Sequence, residues 1–70
     1  MKIFAQRVRE LRNERGQKQN EMAEYLGISL RAYQYYESAT HYPDVAGLIK
    51  LADYFEVTTD YLLGRSQERG

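Results

Sequence analysis

Apolar side chains recur at a helical period along nearly the whole chain, and no stretch of any length alternates at the period of a strand. Phe4, Val8 and Leu11 share a stripe with Arg12, while Arg7, Arg9, Glu10 and Glu14 fall to solvent. This predicts a helix from about Phe4 to Arg15, ended by Gly16. Met22, Ala23 and Leu26 predict a second helix over Gln19 to Leu26. Gly27 can take the positive φ that closes it cheaply, and Ser29 can cap a third helix from Leu30 to about Ser38. The loop Ala39-Thr40-His41-Tyr42-Pro43 follows, with Pro43 biasing Tyr42 away from helical geometry. Asp44 is placed to cap a fourth helix, in which Val45, Leu48, Leu51, Ala52 and Phe55 form the clearest amphipathic stripe. Thr58 can cap a short fifth helix through Leu63, and Gly64 ends it. The expected fold is all-α, a compact five-helix domain over residues 1–65 with a disordered polar tail at 66–70.

The second and third of these segments meet at a glycine turn, which is a helix-turn-helix arrangement. At about 100° per residue, Leu30, Arg31, Gln34, Tyr35 and Ser38 fall on one side of the third helix, and Ala32, Tyr33, Tyr36 and Glu37 on the other. Tyr33, Tyr36 and Ile28 then supply the packed face. The outward set suits base edges: Arg offers a fork to guanine, Gln an amide pair to adenine, Leu an apolar contact to a thymine methyl. An ordinary solvated helix face is the alternative for the same residues. Tyr25, Tyr33, Tyr36, Tyr54 and Tyr61 read most simply as core-edge side chains with their hydroxyls in water, leaving Tyr35 and Tyr42 placed for a partner.

Seventy residues make one small domain. The absence of Cys rules out disulfides and thiolate metal sites, and no apolar run suits a membrane span or a secretory leader, so the expected location is cytoplasmic. Ten basic and ten acidic side chains cancel, and the pI of about 6.6 is low for a nucleic-acid-binding domain. The distribution is less even. Residues 1–42 hold seven Lys or Arg against five Asp or Glu, a net of +2, whereas residues 43–70 hold three against five, a net of −2. A DNA-facing N-terminal side is thereby permitted. The lone His41 has no companions at metal-ligand spacing, and no nucleophile has a placed base, so neither an enzyme, a metal nor a cofactor is expected.

The segments VRELRNERG, QNEMAEYLGIS, YYE, YPD and LIKLADYFEVTTDYLLGR, in that order and spacing over about residues 3–65, resemble the phage-repressor and Cro-type helix-turn-helix domains of the XRE family. The resemblance implies a lambda repressor-like fold and a transcriptional regulator of double-stranded DNA, with repression of a near-palindromic operator as a homodimer the favoured form. It implies base reading by Leu30, Arg31, Gln34 and Tyr35, backbone contacts from Lys18 and Gln19, and phosphate contacts from Ser29, Thr40, His41 and Tyr42. Helix starts and Lys18 suit anions on physical grounds as well. Resemblance and geometry together pair Arg12, on the inner stripe of the first helix, with Glu37 on the packed side of the third. The short fifth helix, with Val57, Thr59, Tyr61 and Leu62, is the expected dimer surface. Two departures from the family pattern stand out: Gln17-Lys18 replaces the usual hydroxyl cap of the second helix, and Ala39 replaces a glycine, which predicts another path for that loop. Tyr35 is also bulkier than the usual reader, and stacking or a phosphate contact is its alternative role. An antitoxin with a toxin partner, and an interaction module without DNA binding, stay open beside the regulator.

Overall fold

The computed structural model describes residues 2–70. Five helices follow one another: α1 (Lys2–Glu14), α2 (Gln19–Leu26), α3 (Leu30–Glu37), α4 (Val45–Phe55) and α5 (Thr59–Leu63). Three of the starts are set by local caps that supply an acceptor for an otherwise unpaired N–H. Ser29 Oγ accepts from the Ala32 N–H at 3.1 Å, Asp44 Oδ1 from the Gly47 N–H at 2.8 Å, and Thr58 Oγ1 from the Tyr61 N–H at 3.0 Å. α2 starts without a hydroxyl cap. The Glu21 carboxylate instead reaches back to accept from the Lys18 N–H at 2.7 Å, half of a capping box, with its charge at the positive end of the helix dipole.

The buried centre is built from Phe4, Val8 and Leu11 of α1, Met22 and Ala23 of α2, Tyr33 of α3, Leu51, Ala52 and Phe55 of α4, and Val57, Tyr61 and Leu62 at α5. Among the described residues, no helix is long and apolar enough to cross a membrane. The α4 stripe is covered only from its second turn: Leu48 is half-buried, but Val45 is 72% exposed.

Four further expectations need correcting. Leu62, Tyr61 and Val57, expected on a dimer surface, belong to the core of the single chain, with Leu62 wholly buried and Thr59 half-buried. A helix of five residues is too short for periodicity to tell its inner from its outer side, and here α1 and α4 cover it. Tyr33 does not keep its hydroxyl in water, because the residue is wholly buried and its OH donates to Glu37. Segment 66–70 is held by specific contacts where composition suggested a disordered tail. The Arg69 carbonyl accepts from the Thr58 N–H at 2.8 Å, its guanidinium meets the two Glu14 oxygens at 2.8 and 2.6 Å, and Arg7 donates to the Ser66 carbonyl at 2.7 Å. These partners are far away in sequence, so local composition carries no sign of them.

The fourth correction is the loop after α3. Ala39 takes φ 63°, the left-handed conformation that its Cβ disfavours. The reward is closure of the helix end: the Thr40 N–H donates to the Tyr35 carbonyl at 3.1 Å, as in a Schellman motif. Ala39→Gly is therefore expected to stabilise the fold by about 1 kcal/mol, the strain relieved being partly offset by the greater freedom of Gly in the unfolded chain. Thermal melts of the two proteins check this. A lower midpoint for the glycine variant would mean that the alanine methyl contributes more by packing than it costs by strain.

Candidate nucleic-acid interface

The inner side of α3 is anchored through one carboxylate. Glu37 is only 4% exposed, and an ion so deeply buried must have its lone pairs met. Arg12 Nε donates to Oε2 at 2.6 Å and Arg12 Nη2 to Oε1 at 3.1 Å, the two-point geometry that a guanidinium offers a carboxylate. The Tyr33 hydroxyl also donates to Oε2, and Gln19 Nε2 to Oε1 at 3.0 Å. Arg12 is itself steadied, since its Nη1 donates to the Gln17 carbonyl at 2.9 Å. The Glu37 backbone carbonyl, at the end of α3, accepts from Arg9 Nη1 at 2.6 Å. Among the described residues, no buried side-chain nitrogen or oxygen lacks a partner.

Charge follows this geometry. Burial pushes the Glu37 carboxyl up, but hydrogen bonds from Arg12, Tyr33 and Gln19 outweigh it and hold the group below its ordinary 4.5. The hydrogen bond to Glu37 raises the Arg12 guanidinium. Burial, and then the neighbouring carboxylate, raise the Tyr33 phenol, which stays protonated as a donor.

With that side locked, α3 turns Leu30, Arg31, Gln34 and Tyr35 outward, and all four are exposed. Ser29 and Lys18 are exposed at the starts of α3 and α2. Among the described residues, neither Arg31 nor Lys18 has an ion-pair partner. The loop residues Thr40, His41 and Tyr42 are exposed too, but each has a neighbour. Thr40 Oγ1 is 2.7 Å from Ser38 Oγ, the His41 ring lies 4.8 Å from the Tyr35 ring, and the Tyr42 ring lies 5.4 Å from that of Phe4. Tyr35 and His41 thus form one aromatic pair bordering α3. Gln19 is placed differently from the other phosphate candidates: it is half-buried, with its amide joined to Glu37 and to Gln34. Sequence reasoning missed Arg9. The only signal for it is a cation on α1 one turn before Arg12, which does not by itself show which carbonyl it reaches.

A helix-turn-helix family model matches residues 8–62. The SPbeta prophage-derived HTH-type transcriptional regulator YonR of Bacillus subtilis is 38% identical over 61 residues, covering 87% of this chain and 56% of that protein. The cryptic phage CTXphi transcriptional repressor RstR of Vibrio cholerae is 45% identical over 47 residues, covering 67% and 42%. The HTH-type transcriptional regulator ImmR of Bacillus subtilis is 39% identical over 64 residues, covering 91% and 50%. The chain therefore spans about half the length of the curated relatives it matches. A crystal structure of a transcriptional regulator from Listeria innocua superposes with a TM-score of 0.85 at 40% identity, over 93% of this chain and 61% of that one.

Proposed function

The chain belongs to the XRE-type helix-turn-helix family, and from that membership we propose that it is a DNA-binding transcriptional regulator, a repressor that lays α3 in the major groove of a near-palindromic operator as a homodimer. The observation that carries this reading is the division of α3: an inner side held by the buried Arg12–Glu37 pair, and an exposed side with Leu30, Arg31, Gln34 and Tyr35 available to base edges. The repressor name of one phage relative, RstR, supports the direction of control. Lys18, Ser29 and the loop Thr40-His41-Tyr42 would set the register against phosphates.

The dimer needs a surface other than Val57, Tyr61 and Leu62, which are buried within the single chain. Val45 and Ile49 lie one turn apart on α4, 72% and 48% exposed, directly after the loop assigned to phosphate. A face there is close to the DNA yet off the reading helix, as two α3 copies about 34 Å apart require. One small module alone covers few base pairs, so a second copy is the natural occupant.

Selection of duplexes from a random pool tests the function directly, and a salt titration of the selected site tests its physics. A steep log-log salt slope is expected from phosphate contacts. No selected sequence and no slope would leave an interaction module as the better reading. Within the selected site, Arg31→Ala is expected to cost about 1 to 3 kcal/mol and to cost little on random duplex, because Arg31 is the only cation on the exposed side of α3. Lys18→Ala should instead weaken both DNAs and flatten the salt slope by about one unit. Equal losses on both DNAs for Arg31→Ala would demote that residue to a phosphate contact.

A further inference from the structure

An unrestrained glutamine amide presents its donor and acceptor in either order, by a half-turn of its last torsion. Gln34, exposed on α3, is not unrestrained. Its Nε2 donates to Gln19 Oε1 at 3.1 Å, and Gln19 Nε2 donates in turn to Glu37 Oε1 at 3.0 Å. The direction of this chain is set from its buried end. Glu37 is an ionised carboxylate already paired with Arg12, so it only accepts. Gln19 must therefore turn its NH2 inward, which leaves its carbonyl facing Gln34. A carbonyl only accepts, so Gln34 must offer it an N–H. What Gln34 retains is its own carbonyl and its second N–H.

We propose that Gln19 is a positioning residue for base specificity, a relay by which buried Glu37 presets the Gln34 amide to offer one acceptor and one donor to the major groove. That pair complements the N6 donor and N7 acceptor of adenine, so the base read by Gln34 is adenine. The inference rests on the DNA-reading role given above to α3. It separates Gln19, placed by resemblance among backbone contacts, from Lys18 beside it. An amide held in advance also spares the ordering cost of a long side chain on binding. Arg31 has no part in the relay.

The test compares the parent with Gln34→Ala and Gln19→Met, the latter keeping an apolar stem of similar length without the amide. Glu37 keeps its bonds from Arg12 and Tyr33 in both variants, and circular dichroism checks that the fold persists. Selection from a random pool should show Gln34→Ala erasing an adenine preference at one position. Gln19→Met should lower that same preference about tenfold while leaving the position read by Arg31 unchanged. Full retention of the preference by Gln19→Met, or no lost position in Gln34→Ala, overturns the proposal. A second arm needs no DNA: 15N relaxation of the Gln34 side-chain amide in the free protein should show it rigid in the parent and mobile in Gln19→Met. Equal mobility in the two proteins overturns the relay. A parent that selects no duplex overturns the specificity role together with the DNA reading, and the relaxation arm tells that failure apart from failure of the relay itself.

Discussion

Arg12→Ala is expected to destabilise the domain by about 3 to 5 kcal/mol, the cost of leaving a buried charge without its partner. The carboxylate it strands is 4% exposed, and Arg12 supplies its only cation among the described residues. For a chain of this size the loss corresponds to a fall in melting temperature of at least about 12 °C. A domain of 70 residues has little stability to spare, so the variant should be partly unfolded at 37 °C. Thermal and urea melts followed by circular dichroism measure this. A midpoint within a degree or two of the parent would show that the pair contributes nothing beyond what water supplies.

Acid acts on the same carboxylate and separates two explanations for such a loss. In the parent, Glu37 is held below its ordinary 4.5 by its hydrogen bonds, so the unfolded chain takes up this proton first as pH falls. The stability contributed by Glu37 is then complete above 4.5 and is lost as pH falls through the lower folded value. In Arg12→Ala, burial acts with less opposition and pushes the carboxyl up. Protonating it relieves the stranded charge. The gap between parent and variant should therefore narrow as melts are taken from neutral pH toward pH 4, whereas a gap due to lost packing of the Arg12 stem would not move.

What was legible in the chain follows from how local each cause is. The starts of α3, α4 and α5 could be read because Ser29, Asp44 and Thr58 cap N–H groups three residues away. The division of α3 could be read because helical periodicity alone puts Arg31 and Gln34 on one side and Tyr33 and Glu37 on the other. The start of α2 was harder, since Glu21 substitutes for the hydroxyl that Lys18 lacks. Ala39 concealed its left-handed turn because the bond that compensates it, from the Thr40 N–H to the Tyr35 carbonyl, is a property of the helix end and not of alanine. The amide relay lay further out of reach. Nothing in the residue types of Gln19 and Gln34 says that they meet, or which atom of each amide faces inward, until Glu37 is placed beside them.

Leu62→Ala is expected to cost about 2 to 5 kcal/mol, because its side chain is wholly buried among core residues of the same chain and its truncation leaves a cavity. Had Leu62 lain on a surface between two copies, the same substitution would have left the monomer nearly as stable and weakened only its association. Ile49→Lys supplies the contrast. Ile49 is 48% exposed on α4, so a lysine there should change monomer stability by no more than about 0.5 kcal/mol. It would set a charge against its symmetry mate across the twofold face proposed at Val45 and Ile49, where like charges in contact oppose association. The expected pattern is therefore crossed. Leu62→Ala melts early in urea but, while folded, still binds a full operator more tightly than a half-site. Ile49→Lys melts with the parent but binds full and half-sites alike. Urea melts and binding to the two duplexes at matched salt read both arms. Undiminished preference for the full site in Ile49→Lys would clear α4 of the dimer role and direct the search to the exposed pair Ile3 and Leu63, where the start of α1 lies against Gly64 at the end of α5.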